Sequence, residues 1–351
     1  METQINKTQT IGGEKTLVGS LPYTDPFYAA KIVLDKFPVL PAWPQLTARG
    51  FKEGMFAQFS EALPSLRLLE EENTLFFDAA DMESECERVN ASFERRDCEG
   101  FAVSQEYAAG LYALVQAIAN GSYKPAALKG QITGAFTFGV SVTDANKKPS
   151  ANNPRLFEAI IRALALKAIW QIRLLKTVSQ NVILFIDEPG LIFLYGQKPH
   201  FPRETALYAV KTLVEAIHSE GALCGLHCCG KTDWRIPIEA GVDILSYDAF
   251  SYFDNILEYA PEFCAHIQRS GSFASGIIPT SEAAYNASAE ELASIQRKQY
   301  QLLAERGKLI SEAEIANACI ITPACGLGLL PLELAERIIE LTSDVSKLLK
   351  G

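Results

Sequence analysis

The chain has no excess of basic residues and no apolar run long enough to cross a membrane. Its 351 residues include 32 Lys and Arg against 42 Asp and Glu, which gives a formal net charge of −10. Nucleic acids and anionic membranes both require basic surface, so we expect neither as the main partner. The most apolar run, residues 181–186, is far shorter than the roughly 20 residues of a membrane-spanning helix. The first residues show no basic start followed by an apolar stretch, so we expect a cytoplasmic protein without a signal peptide.

Cysteine is present but lacks the dense, regular spacing of a secreted disulfide scaffold. The chain has eight cysteines, and its 48% hydrophobic residues are enough for a substantial core that needs no disulfide bonds. This usage favours a reducing compartment, where thiols stay free for metal binding or catalysis. No repeat, low-complexity tract or Pro/Gly/Ser-rich linker divides the chain, so we predict one domain over residues 1–351.

Short apolar runs alternate with helical patterns from end to end, which is typical of β/α units around a parallel sheet. The sequence predicts eight strands, at residues 16–20, 37–40, 127–133, 182–186, 222–227, 242–247, 272–278 and 318–322. Such units predict an α/β fold, a (β/α)8 TIM barrel, with a doubly wound open sheet as the alternative. Residues 45–123 are too long for an ordinary crossover, and we expect them to form a helical insertion after the second strand.

Three residues have the identities and spacing of zinc ligands. His227 and Cys229 end the fifth predicted strand, and Cys325 follows the eighth. Side chains alternate along a strand, so His227 and Cys229 are predicted to share one face, with Cys228 on the other. Three ligands without a fourth thiol are typical of a catalytic zinc site with one position open for substrate. The alternative is that these cysteines are small core residues unrelated to a metal.

Polar residues also end several other predicted strands, where the chemistry of a barrel is located. These residues are Ser20, Gln131, Asp187, Glu188 and Asp248. Asp187 and Glu188 directly follow an apolar strand and are predicted to be partly buried, holding a cation or an amine. They could instead form a turn and a helix cap. Asp248 is either a helix cap or a fourth zinc ligand that leaves when substrate binds.

Several of these motifs resemble one enzyme superfamily. Residues 16–22, 186–189, the His227-x-Cys229 pair and residues 325–327 are similar to the C-terminal catalytic barrel of cobalamin-independent methionine synthase. Residues 43–46, 129–134 and 227–230 also resemble the methylcobamide:thiol methyltransferases and uroporphyrinogen decarboxylase. The resemblance runs in the correct order from about residue 17 to residue 349.

The resemblance implies a zinc-dependent transfer of a methyl group to a small thiol such as homocysteine. His227, Cys229 and Cys325 would hold Zn²⁺, and the substrate sulfur would take the fourth position. Asp248 stands about where the methionine synthases have a ligating glutamate. Asp187 corresponds to the carboxylate that binds the substrate amino group, and Ser20 to the position whose backbone contacts the substrate carboxylate. We expect Gln131 and Glu188 to line the same substrate site.

Three departures from the methionine synthases bear on the methyl donor. This chain has no second barrel, no second glutamate near residues 55–58, and no histidine at residues 276–281, where those enzymes carry one for proton transfer. Methyltetrahydrofolate needs a general acid to leave, whereas a methylcobamide leaves as Co(I) without a proton. The sequence therefore favours a methyl-corrinoid donor, carried on a partner corrinoid protein, over methyltetrahydrofolate.

Two other functions stay open at the level of sequence. A uroporphyrinogen decarboxylase-like lyase needs cationic groups near the first strand, but no arginine precedes Arg49. A non-catalytic accessory protein that binds zinc or a corrinoid would also carry the His and Cys ligands.

Overall fold

The computed structural model describes residues 12–78, 80–196 and 201–350. The eight strands in chain order are β1 Leu66–Leu69, β2 Thr74–Phe77, β3 Leu128–Thr133, β4 Val182–Asp187, β5 Leu223–Cys228, β6 Ile244–Tyr247, β7 Ser272–Ile278 and β8 Cys319–Pro323. The α-helices are α1 Pro26–Lys36, α2 Met82–Arg95, α3 Ala109–Ala119, α4 Ala135–Ser141, α5 Pro154–Lys176, α6 Arg203–Ser219, α7 Arg235–Ala240, α8 Phe253–Leu257, α9 Ala260–Gln268, α10 Ala283–Asn286, α11 Ala289–Gly307, α12 Glu312–Asn317 and α13 Leu332–Lys350. None of the described helices is both long enough and apolar enough to span a bilayer. The first eleven residues, on which the expectation of no signal peptide depends, lie outside the described part.

The central sheet is parallel and has six strands in the order β3-β4-β5-β6-β7-β8. Each neighbouring pair runs parallel, as β/α units require, and these six strands match the third to eighth predicted ones. All six therefore have their carboxyl ends at the same edge, which is the edge where the candidate site lies.

The first two predicted strands, residues 16–20 and 37–40, are not regular strands. Their neighbourhood instead contains isolated bridges, from Lys15 to Ile321 in β8 and from Ala42 to Lys129 in β3. Three prolines at positions 38, 41 and 44 explain part of this difference, because proline cannot donate a hydrogen bond to a β-ladder. Among the described residues, the parallel sheet therefore has six regular strands, and irregular segments stand where the first two strands were predicted.

These two segments, residues 13–21 and 39–45, still connect the two edges of the sheet. The backbone N–H of Thr16 donates to the carbonyl of Ile321, and that of Lys129 donates to the carbonyl of Pro41. Between the segments, the N–H of Gln45 donates to the carbonyl of Gly19. Hydrogen bonds thus run from β8 through both segments to β3.

The two faces of the sheet bury different residues. One face packs under the helices in the large hydrophobic core, for example through Leu184 and Leu226. The other face carries a small separate apolar cluster: Leu40, Ala127, Ile183, Phe185, Ile244, Ala274 and Ile320. Strand alternation continues this inner face toward the carboxyl edge with polar residues, namely Lys129, Gln131, Asp187, His227, Ser246 and Thr322.

Residues 45–123 contain short 3₁₀ turns, an antiparallel β1–β2 hairpin, and helices α2 and α3. Helix α2 packs against α5, and α3 packs against α1. Arg155 on α5 forms ion pairs with Glu83 and Glu87 on α2, at 2.6 and 3.1 Å. Helices α2 and α3 thus pack against α5 and α1, whereas the start of this region reaches the inner face, where the hydroxyl of Thr133 donates to the carbonyl of Met55.

Candidate metal centre

The carboxyl end of β5 and the loop after β8 bring His227, Cys229 and Cys325 together. One ligand atom from each residue lies within 4.8 Å of the others. A tetrahedral zinc ion, about 2.3 Å from sulfur and about 2.0 Å from nitrogen, holds its ligand atoms about 3.5 to 3.8 Å apart. The three side chains therefore fit one zinc ion. Within the described ranges, no other group of three His, Cys, Asp or Glu residues is gathered in this way.

The imidazole of His227 is oriented for metal binding. Its Nδ1 lies 2.9 Å from the hydroxyl of Ser246 on the neighbouring strand β6. Its Nε2 is buried without a hydrogen bond of regular geometry, and its neighbour is the thiol of Cys325, whose pKa His227 lowers. When Nδ1 carries the proton toward Ser246, Nε2 presents a lone pair, which is the form of histidine that ligates metals.

The two thiols of the cluster differ in how readily they ionise. Cys229 and Cys325 are both half-buried and hydrogen-bonded to each other. This hydrogen bond lowers the pKa of Cys229 and, together with burial, raises the pKa of Cys325. Cys228 instead faces the hydrophobic core, as strand alternation predicts, and burial raises its pKa to about 12. The pKa of Cys229 is therefore the lower of the two.

Asp187 ends β4 directly beside His227, with which it is paired in the sheet register. Its Oδ1 is buried without a hydrogen-bond partner in the described residues. Burial raises the pKa of this carboxyl, whereas the neighbouring Lys129 and His227 lower it. An uncompensated buried carboxylate oxygen next to the metal ligands is free to bind a cationic group of a ligand.

Lys129 is a buried cation on the inner face that the sequence reasoning missed. Its Nζ donates to the carbonyl of Val18 at 2.6 Å and lies 4.4 Å from the ring centroid of Phe185. Burial lowers its pKa to about 8, and Asp187 opposes that shift. The available signal was its position within a predicted strand of a parallel sheet, because such strands are buried on both faces.

Asp248 follows β6 but is not in the cluster of ligand atoms, although it is near enough for His227 to lower the pKa of its carboxyl. Its Oδ1 accepts a hydrogen bond of 2.7 Å from the backbone N–H of Ser251. Burial is the main influence on this carboxyl and raises its pKa. The side chain thus holds the turn before α8, whose N-cap residue is Tyr252, so Asp248 is not the helix cap that was one of its two predicted roles.

Glu188 points away from the cluster, which corrects its predicted substrate role. Its Oε1 accepts from the backbone N–H of Phe136, and its Oε2 accepts from the N–H and the hydroxyl of Thr137. Burial raises the pKa of this carboxyl to about 7. Because consecutive strand residues face opposite sides, Asp187 and Glu188 cannot both enter one site. Glu188 holds the first turn of α4.

Of the remaining two predicted residues, Gln131 contacts segment 39–45, and Ser20, which lies in segment 13–21, contacts the loop after β8. Gln131 is fully buried, and its Nε2 donates to the carbonyl of Trp43 at 2.8 Å. Ser20 touches the loop that carries Cys325, because its Oγ accepts from the N–H of Gly328 at 3.2 Å. Thr322, which the sequence reasoning also missed, has a buried hydroxyl without a partner on the inner face of β8.

Comparisons with known proteins identify no family. No family model matches the chain, and no curated protein matches it. Among solved structures, a B12-independent methionine synthase from Shewanella sp. W3-18-1, in complex with selenomethionine, aligns over 67% of this chain and 66% of that chain, at 14% identity and a TM-score of 0.46. GH5_18 from Streptomyces cattleya, in complex with GlcNAc, aligns over 96% of this chain and 80% of that chain, at 9% identity and a TM-score of 0.45. The 3-keto-D-glucoside 4-epimerase from E. coli aligns over 66% and 84%, at 11% identity and a TM-score of 0.33. These low scores assign neither a family nor an activity to the chain.

Proposed function

We propose that this protein is a zinc-dependent methyltransferase that moves a methyl group to the sulfur of a small thiol such as homocysteine. The observation that carries the proposal is the cluster of His227, Cys229 and Cys325, in which one ring nitrogen and two thiols converge without a fourth protein thiol. A donor set of one nitrogen and two sulfurs suits zinc, and three protein ligands are typical of catalytic zinc sites. The motif resemblance to the cobalamin-independent methionine synthases supports the same activity.

Each residue then has a task in the transfer. His227, Cys229 and Cys325 hold the metal, and zinc would supply a low thiol pKa for the acceptor, so that its sulfur reacts as a thiolate. Asp187, with its unpartnered Oδ1, would hold the amino group of the acceptor beside the metal ligands. The acceptor sulfur attacks the methyl carbon, a sulfur–carbon bond forms, and the donor–methyl bond breaks with its electron pair returning to the donor.

We propose a methyl-corrinoid on a partner protein as the donor. The described loop after β7 supplies no histidine to protonate a folate nitrogen. In addition, large apolar side chains are exposed on the segments that follow the carboxyl edge of the sheet: Phe27, Tyr28, Ile192, Phe250, Tyr252, Tyr285 and Leu329. Exposed large apolar side chains are typical of surfaces that contact another macromolecule. A large donor that must reach a metal site at this edge would meet these residues.

We further propose that segments 13–21 and 39–45 complete a barrel-like ring within a single domain. Their hydrogen bonds to β8 and β3 support this arrangement. So does the membership of Leu40, from the second segment, in the inner apolar cluster.

The test is methyl transfer by zinc-loaded protein under reducing conditions, with methylcobalamin or methyltetrahydrofolate as donor and homocysteine as acceptor. Methionine formed from methylcobalamin, and lost in Cys325→Ser, is the expected result. Methionine formed only from methyltetrahydrofolate would overturn the donor assignment. Stoichiometric zinc with no transfer from either donor to any thiol would instead favour the accessory, non-catalytic function.

A further inference from the structure

The loop that carries Cys325 is held by two hydroxyl groups from outside the six-stranded sheet. The hydroxyl of Thr47 donates to the carbonyl of Gly328 at 2.9 Å. The hydroxyl of Ser20 accepts from the N–H of the same glycine at 3.2 Å, and the carbonyl of Ser20 accepts from the N–H of Leu327 at 2.9 Å. The N–H and the carbonyl of Gly328, three residues after Cys325, are therefore both held by hydrogen bonds, one to Ser20 and the other to Thr47.

Close approach makes the two glycines of this loop necessary. A Cβ at position 328 would lie 2.4 Å from the Thr47 hydroxyl oxygen and 2.9 Å from the Ser20 Cβ. A Cβ at position 326 would lie 2.2 Å from the Ser20 hydroxyl oxygen. Contacts this short exclude a side chain at either position without movement of the neighbouring segments. The Cys325 loop is thus packed directly on both partners.

We infer that Thr47 is a positioning residue for Cys325, and that together with Ser20 it holds this thiol where a metal ion needs it. The inference rests on the zinc centre of the proposed function. Cys325 is the one ligand that does not come from the β5 end, so its position depends on the loop that carries it. A ligand fixed before the metal arrives binds more tightly, because ordering the loop no longer opposes binding. Ser20 lies in segment 13–21 and Thr47 lies just after segment 39–45. These irregular segments therefore also hold the Cys325 loop in place.

Cobalt titration of the apo protein tests the inference, since thiolate-to-cobalt absorption reports on the ligands without any activity. Thr47→Val removes the hydroxyl at nearly constant shape, and should weaken Co²⁺ binding about fivefold, the value of one net hydrogen bond. Thr47→Ser should restore binding. The matched control is Thr212→Val on α6, since the half-buried Thr212 also donates to a backbone carbonyl, at 3.0 Å. The control should bind Co²⁺ as wild type does, and thermal unfolding shows whether each variant is folded.

A second measurement needs no metal. Alkylation of Cys325 in the apo protein, followed by peptide mass spectrometry, should become severalfold faster in Thr47→Val and stay unchanged in Thr212→Val. If wild type binds no cobalt but the alkylation result holds, the metal centre is wrong and the loop contact stands. If Thr47→Val matches wild type in cobalt affinity and in alkylation rate, Thr47 does not position the thiol.

Discussion

Asp187 and Glu188, consecutive residues at the end of β4, have different roles. Asp187 presents an unpartnered oxygen beside His227, whereas both oxygens of Glu188 accept hydrogen bonds at the start of α4. Two acidic residues in sequence suggested a shared substrate site, but strand alternation allows only one of them to face inward. The identity of the inward carboxylate could therefore have been predicted from the sequence, although the hydrogen bonds of Glu188 could not.

Replacing Glu188 with glutamine separates its structural role from a substrate role. Three donors, the N–H groups of Phe136 and Thr137 and the hydroxyl of Thr137, point at the carboxylate. A glutamine amide has one acceptor oxygen, and its NH2 group would face donors instead of accepting from them. We expect Glu188→Gln to lower the free energy of unfolding by about 1–3 kcal/mol, measured by urea denaturation. Its cobalt affinity should stay at the wild-type value. Unchanged stability with lost methyl transfer would return Glu188 to the substrate site.

The lowered pKa of Lys129 predicts that the free energy of unfolding depends on pH. Burial lowers its pKa from 10.5 to about 8, so between these values the unfolded chain holds a proton that the folded chain has released. Stability due to this residue is thus lowest below about pH 8 and rises toward about pH 10.5. The difference in unfolding free energy between wild type and Lys129→Met should rise by about 3 kcal/mol from about pH 7 to about pH 10.5. A difference that does not change with pH would show that Lys129 titrates normally.

Among the elements of the fold, strands β3 to β8 were largely predictable from sequence, whereas the irregular paths of segments 13–21 and 39–45 were not. Strands β3 to β8 are short apolar runs, and their pairing follows from the order of β/α units. Segments 13–21 and 39–45 pair with β8, with β3 and with each other over long sequence distances. Three prolines and Gly19, whose φ is 151°, prevent regular ladders there. Their irregular paths depend on contacts that no local pattern encodes.

Gly328, in the loop after β8, packs closely on Thr47 and Ser20. Gly328→Ala should weaken Co²⁺ binding, because the added Cβ would lie 2.4 Å from the Thr47 hydroxyl oxygen and displace the Cys325 loop. Gly100→Ala is the matched control, since a Cβ there meets nothing within 4 Å. Equal cobalt affinity in both variants, by absorption titration, would show that the loop tolerates the added group.

At the scale of the whole molecule, metal ligands from β5 and from the loop after β8 meet although a long stretch of chain separates them. The parallel sheet makes this possible, because all its carboxyl ends share one edge. The spacing of His227 and Cys229 was readable from sequence, whereas the second contact of each ligand, such as Ser246 with His227, required the fold.

Zinc content per chain shows whether His227, Cys229 and Cys325 together hold a metal ion. It should be measured in wild type, in Cys325→Ser, and in Cys264→Ala as a control for loss of a buried thiol outside the cluster. We predict about one zinc ion in wild type and in the control, as expected for a single site with three protein ligands, and its loss in Cys325→Ser. Absence of zinc from wild type after incubation with zinc under reducing conditions, or full retention in Cys325→Ser, would contradict the account.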